Sequence, residues 1–110
     1  MAGIVLVEET RNKKPWCLLA AVITNGRLYI TRIDFQEWEL NRRNGQVEIS
    51  YIFDENNTRK FMTQLKESEC EKFLKKLKAR FSGGSGIIVM TDIEKFCKNH
   101  DISYDYSVWY

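Results

Sequence analysis

The chain has few of the residues, and none of the spacings, on which several classes of protein depend. It contains one Pro, one His and three Cys among 110 residues. No apolar run approaches the ~18 residues of a membrane span, and no secretory signal opens the chain. The cysteines lie too far apart for a zinc or redox motif. These absences predict a cytoplasmic protein without a metal, a cofactor or a membrane segment, whose cysteines are free and buried.

Charge of one sign is also missing, because 17 Lys+Arg stand against 15 Asp+Glu. A formal net charge of +2 argues against a general nucleic-acid coat protein. The chain is instead 44% hydrophobic and 13% aromatic, which is enough for a packed core. The length fits one domain over residues 1–110.

Two Asn-Gly dipeptides predict β-hairpins, because both residues of such a turn adopt positive φ. Asn25-Gly26 separates an apolar run over 16–24 from a β-rich run over 27–35. The predicted pairs are Thr24 with Arg27, Val22 with Tyr29 and Leu18 with Ile33. Both faces of this hairpin are apolar near the turn, which predicts a central hairpin that is covered on both sides.

Asn44-Gly45 predicts a second hairpin between residues 37–43 and 46–53. A two-residue turn there pairs Leu40 with Ile49 and Trp38 with Tyr51. The residues alternate between an apolar face and a polar one, as in an antiparallel sheet with one wet face. Residues 3–9 predict an N-terminal strand, and the alternating tail over 102–110 predicts a closing strand.

The period changes after Phe53, where Asp54 to Asn57 offer N-cap residues for a first helix. A capping box at Ser68 predicts an amphipathic helix over 69–81 with Cys70 on its apolar face, and a second box at Thr91 predicts a short helix. The intervening 82–86 segment is interpreted as a helix C-cap and loop. The fold class is therefore α+β, a mainly antiparallel sheet with two to three helices packed on one face.

Catalytic signatures are weak. Ser85 lies between glycines, but the spacing of a nucleophile elbow and a phosphate loop are both missing. His100 precedes Asp101, yet adjacent side chains seldom face each other, and a cationic His suits a helix C-terminus. The sequence therefore predicts a protein that is not an enzyme, with no catalytic residues.

A basic helix is the first candidate binding element. Four lysines lie opposite the apolar stripe of the 69–81 helix: Lys72, Lys75, Lys76 and Lys78. Such a face is suited to contacting phosphates in a nucleic-acid-binding module. It is more commonly a solvated helix surface whose charges follow the helix dipole.

An acidic, polar hairpin face is the second candidate. It is expected to carry Asp34, Glu37, Glu39, Asn41, Glu48 and Ser50. A face of this charge is suited to docking on a basic protein, although antiparallel sheets commonly have a solvated face. Trp109 is the expected aromatic anchor if its side chain is exposed.

Two stretches of the chain resemble small α+β immunity proteins of bacterial toxin–immunity systems. They are Tyr51-Ile-Phe-Asp-Glu-Asn-Asn-Thr-Arg-Lys-Phe and Phe96-Cys-Lys-Asn-His-Asp-Ile-Ser-Tyr-Asp-Tyr. The resemblance implies a cytoplasmic protein that blocks a toxin by binding it. The leading hypothesis is thus a non-enzymatic inhibitor with a protein partner, and the alternative is a nucleic-acid-binding module that uses the basic helix.

Overall fold

The computed structural model describes residues 1–36 and 45–109 of the chain. Its elements follow in the order β1 (Ala2–Arg11), β2 (Lys14–Thr24), β3 (Arg27–Gln36), β4 (Gly45–Ile52), α1 (Glu55–Gln64), α2 (Cys70–Arg80), α3 (Gly86–Asn99) and β5 (Asp105–Trp109). The five strands form one antiparallel sheet in the order β1-β2-β3-β4-β5. The predicted α+β class, with helices on one face of an antiparallel sheet, is confirmed.

The β2–β3 hairpin has the register that its turn predicts. Thr24 pairs with Arg27, and the ladder continues to Cys17 opposite Asp34. Asn25 and Gly26 have φ values of 54° and 75°, as a type I′ turn requires. The turn thus determines which side chains share a face along both strands.

The β3–β4 pairing differs from the prediction made from Asn44-Gly45. Tyr51 lies opposite Ile30 and Ile49 opposite Arg32, rather than opposite Trp38 and Leu40. β4 therefore pairs directly with β3, the second strand of the first hairpin. The predicted strand over 37–43 lies outside the described residues.

The helices cover one face of the sheet, so the expectation of cover on both sides of the β2–β3 hairpin is wrong for the described chain. The side chains of Leu19, Leu28 and Ile30 are fully buried beneath the helices. Their neighbours along the strands, such as Leu18 and Tyr29, are only half-buried. Alternate residues of the same strands therefore meet a packed core and an uncovered surface.

Two of the three helices begin elsewhere than predicted. Asp54 caps α1 as expected, accepting a hydrogen bond from the Asn57 amide at 2.7 Å. The capping box at Ser68 does not form, because α2 begins at Cys70 behind Glu69. The box at Thr91 lies inside α3, which begins at Gly86 with Ser85 as its N-cap. The segment interpreted as a C-cap and loop therefore contains the start of the longest described helix.

Phe61 is the centre of the packing between helices and sheet. It is fully buried, and its ring lies 5.3–6.4 Å from four other phenylalanine rings. These partners come from the end of β4 and from α2 and α3: Phe53, Phe73, Phe81 and Phe96. Edge-to-face and stacked pairs of this kind stabilise beyond the area they bury. The cluster fixes the helical layer on the sheet.

Candidate functional site: the open face of the sheet

The face of the sheet away from the helices consists of three rows of residues that cross the strands, and we call it the open face. The register of the four strand pairs places the following residues side by side. The rows are Gly3, Val22, Tyr29, Ile52 and Asp105; Val5, Ala20, Thr31, Ser50 and Ser107; and Glu8, Leu18, Ile33, Glu48 and Trp109. A bulge between Val5 and Val7 keeps Glu8 on this face.

The middle row has smaller side chains than the rows beside it. Ala20, Thr31, Ser50 and Ser107 follow Val5 across the sheet. The Thr31 and Ser50 hydroxyls hydrogen-bond each other at 3.0 Å. Because bulkier apolar residues stand on both sides in β2 and β3, the small side chains form the floor of a shallow trough there, which Glu48 and Ile52 flank in β4. A trough of this kind is suited to receiving projecting side chains of a partner.

Apolar side chains dominate the open face and stay in contact with solvent. Trp109 is 71% exposed and Val5 is 40% exposed. Five more are half-buried by their neighbours in the sheet alone: Leu18, Val22, Tyr29, Ile33 and Ile52. Single exposed apolar residues are common on proteins, whereas a contiguous group of them is typical of an interaction surface.

The charged groups of the open face lie mostly at its margins. Glu8 and Asp105 end their rows on the two edge strands, and Glu48 stands next to Trp109. Arg27 follows the first row at the hairpin turn, with its guanidinium 5.9 Å from the centre of the Tyr29 ring. Within these three rows and the adjoining turn, three carboxylates stand against one guanidinium, which favours a partner with cationic groups around an apolar centre.

The structure brings together some of the residues predicted for the acidic face and separates others. Glu48, Ser50 and Trp109 share the open face. Asp34 lies on the covered face, where its carboxylate forms an ion pair with Arg32 at 3.3 Å. The remaining predicted residues, Glu37, Glu39 and Asn41, lie outside the described residues. The sequence predicts an acidic face, whereas the open face has an apolar centre with an acidic margin.

A second polar cluster lies on the covered face, below the start of α3. Glu9 accepts a hydrogen bond from the Gly86 amide at 2.7 Å, so a carboxylate satisfies a free N–H group of that helix. Burial, followed by the nearby Asp34 carboxylate, raises the pKa of the Cys17 thiol to about 12. Cys17 is therefore protonated at neutral pH and unsuited to nucleophilic attack. The cluster holds α3 on the sheet.

The other two thiols differ from each other. Burial raises the pKa of Cys97 to about 12, so this thiol is also protonated. Cys70, predicted on the apolar face of its helix, is exposed. It is the first residue of α2, before the buried stripe that begins at Phe73. All three cysteines are free.

Tyr51 supports the β4–β5 end of the sheet from the covered side. Its hydroxyl donates a hydrogen bond to Glu94 of α3. Burial is the main cause of the raised pKa of Tyr51, with the Glu94 contact second. Its ring packs against Tyr104 and Tyr106, whose ring centres lie 4.4 and 5.9 Å away. These contacts fix β5, and with it Trp109, at the edge of the open face.

The four predicted lysines of α2 are all exposed but do not act as one stripe. Lys72 forms an ion pair with Glu69 at 3.4 Å. Lys76 turns toward the end of α1 and donates hydrogen bonds to the Leu65 and Lys66 carbonyls at 3.3 and 3.4 Å. Lys75 and Lys78 make no ion pair with a described residue. The helix therefore presents its cations in two directions.

Neither a metal cluster nor a membrane-spanning helix is found in the described part of the chain. Among residues 1–36 and 45–109, no three His, Cys, Asp or Glu side chains are grouped closely enough to hold an ion. Of the helices described, none is both long and apolar enough to cross a bilayer.

Comparison of the chain with protein-family models, curated proteins and solved structures found no match.

Sequence reasoning missed that the apolar outer face of the β2–β3 hairpin stays uncovered. The signal lies in the predicted pairs, since Val22 with Tyr29 and Leu18 with Ile33 place apolar side chains together on the outer face. An apolar face is equally compatible with a second layer of structure. Only the placement of the helices shows that such a layer is missing over the described sheet.

Proposed function

We propose that the protein is a non-enzymatic binding module that docks on another protein through the open face. The observation that carries the proposal is the apolar surface around Ile33, with the 71%-exposed Trp109 at its β5 edge, on the far side of Glu48. Tryptophan is enriched among the residues that contribute most to protein–protein affinity. Ser50, which lies diagonally across from Trp109, belongs to the trough. The surface therefore has a concave part as well as an apolar character.

The partner that fits this surface is a protein with an apolar patch surrounded by Lys or Arg. The carboxylates of Glu8, Glu48 and Asp105 supply the complementary charge at the margin. Charges at an interface margin accelerate association more than they raise affinity. The apolar centre therefore contributes most of the affinity. The carboxylates accelerate association and orient the partner on the surface.

The resemblance to immunity proteins gives this partner an identity, a bacterial toxin that the protein binds and neutralises in the cytoplasm. The two stretches that carry the resemblance lie against each other in the fold. The Ser103 amide donates to the Asn57 side chain at 2.8 Å, and Lys60 donates to the Asp101 carbonyl at 3.3 Å. They support β4 and β5, which carry the Glu48–Trp109 end of the open face. A toxin with a basic, nucleic-acid-binding surface is the class that best matches the acidic margin.

The test is isothermal titration of the full chain with the toxin domain encoded by the neighbouring gene. We expect submicromolar binding, which Trp109→Ala weakens by about 30-fold or more, as expected for an interface hot spot. Lys75→Ala, on the helical side of the molecule, is the matched control and leaves the affinity unchanged. Absence of binding at micromolar concentrations, or equal effects of the two substitutions, contradicts the proposal.

A further inference from the structure

Two grooves lie on the helical side of the molecule, opposite the open face. They share one lining residue, and both are lined by positively charged side chains. The first groove lies between α1 and the end of α3 and has a volume of about 360 Å³. The second lies between the end of α1 and α2 and has a volume of about 440 Å³. Gln64 lines both, so the grooves meet at the last turn of α1. We call them the first and second basic grooves.

Cationic side chains from separate helices converge on these grooves. Arg59 and Lys60 line the first, and Lys66, Lys76 and Arg80 line the second. His100 and Asp101 complete the first groove, so Asp101 is the one carboxylate among the lining residues. Five cations around two adjoining shallow grooves concentrate positive potential on this side of the molecule.

Two of these five cations already have hydrogen bonds that place them beside the grooves. Lys60 donates to the Asp101 carbonyl and Lys76 to the Leu65 and Lys66 carbonyls, so both ammonium groups stay beside the grooves. Each ammonium has three donors and retains at least one for a ligand. Fixing a side chain in advance lowers the entropy cost of binding.

An aromatic ring joins the two grooves. The guanidinium of Arg80 lies 4.8 Å from the centre of the Phe96 ring. The centre of the His100 ring lies 4.3 Å from the centre of the same Phe96 ring. Arg80 lines the second groove and His100 the first. Phe96 therefore contacts one side chain from each groove, and the grooves adjoin at Gln64.

We propose that this surface binds the phosphate backbone of single-stranded nucleic acid. Phosphate groups are the ligands that several Lys and Arg side chains along a groove recognise. The cations come from different helices at the margins of concave grooves, so the surface offers no single basic helix for the major groove of a duplex. His100 is the one aromatic side chain that lines the two grooves, so the affinity has to come from contacts to phosphates rather than from base stacking.

The proposal differs from the predicted stripe on α2 in the residues it uses. Only Lys76 is shared, whereas Lys75 and Lys78 lie outside both grooves. It is also independent of the docking proposal, because the open face and the basic grooves lie on opposite sides of the sheet. Failure of either proposal leaves the other intact.

The experiment is fluorescence anisotropy of a labelled 20-nucleotide oligo(dT) titrated with the full chain between 50 and 200 mM salt. With four to five phosphate contacts, log affinity should fall with log salt with a slope of about −3. That slope corresponds to a loss of about 60-fold in affinity over this range. Arg59→Gln/Lys66→Gln, which removes one cation from each groove, should make the slope shallower by about 1.4.

The matched control is Lys75→Gln/Lys78→Gln, which removes the same charge from exposed positions outside the grooves. It should leave the slope close to that of the unchanged chain. Arg59 and Lys66 are exposed and make no side-chain hydrogen bond or ion pair with a described residue, so the variant keeps its fold, as circular dichroism will verify. Equal losses in both double variants, tighter binding of a duplex of the same length, or no binding at 50 mM salt overturn the proposal.

Discussion

The two faces of the sheet are made by the same strands but have opposite roles. Leu19 on the covered face is fully buried, whereas Leu18, the preceding residue, is half-buried on the open face. The same contrast continues from Tyr29 to Ile30 in β3 and from Ser50 to Tyr51 in β4. One packed face is therefore enough to hold these strands, and the described helices leave the second face uncovered.

The difference shows that apolar composition does not by itself locate the core. Both faces of β2 are rich in Leu, Ala, Val and Ile. What separates them is contact with the helices, through the aromatic cluster around Phe61 and through the bond from Glu9 to the start of α3. If this account is correct, substitutions on the covered face reduce stability, and those on the open face reduce binding.

Phe61→Ala should have the largest effect on stability. Removing a fully buried ring that contacts four others leaves a cavity, and such substitutions cost about 3–5 kcal/mol. Urea unfolding followed by circular dichroism measures the change in the free energy of unfolding. Phe61→Leu is the control and should lose clearly less. A loss below about 1 kcal/mol for Phe61→Ala would show that the cluster does not hold the helices on the sheet.

Alkaline pH should weaken the covered face at its two buried thiols. The folded state raises the pKa of Cys17 and Cys97 from an ordinary value of 9.0 to about 12, so it retains protons that the unfolded state loses. This contribution to stability is complete below about pH 9 and is lost as the pH rises from 9 to 12. At pH 10 the loss is about 1 kcal/mol per thiol. Urea unfolding at pH 8 and pH 10 measures it.

Cys97→Ala provides the control for that prediction, since one of the two buried thiols is then missing. The pH-dependent loss should decrease by about 1 kcal/mol, while the raised pKa values of Tyr51 and Tyr104 keep a smaller loss in place. Thiol labelling supplies an independent readout: the exposed Cys70 should react in the native protein, and all three cysteines after unfolding. Rapid labelling of Cys17 or Cys97 in the native state would contradict the burial on which the pH dependence rests.

Local chemistry made part of this fold predictable. Asn25-Gly26 gives the correct β2–β3 register, because a two-residue turn with positive φ at both positions leaves the flanking strands no alternative. Asp54 predicts the start of α1 for a similar reason, since its side chain satisfies an amide three residues later. In both cases the decisive contacts join residues that are close in the sequence.

Contacts over longer distances decided the rest. Tyr51 pairs with Ile30 of β3 and not with Trp38, because that pairing buries its ring beneath the helices. The Asn44-Gly45 dipeptide carries no information about this choice of partner strand. The start of α3 was missed because Ser85 and Gly86 also suit a loop, and the distant Glu9 supplies the stabilising bond. For the candidate site, the sequence identified Glu48 and Trp109 separately, and the β4–β5 register places them side by side.

Leu18→Ala should have the smallest effect on stability, and it tests the contrast between the faces most directly. Leu18 is half-buried on the open face, so truncation gives up only part of a leucine's transfer free energy, about 1 kcal/mol or less. Leu19→Ala is the matched control, with the same chemical change one residue away beneath the helices. Full burial there predicts a loss of about 2–5 kcal/mol. Urea unfolding of the two variants gives the difference between the faces as a single number. Equal losses would mean that the open face is packed in solution, by a second copy or by another part of the chain, and that it is not available to a partner.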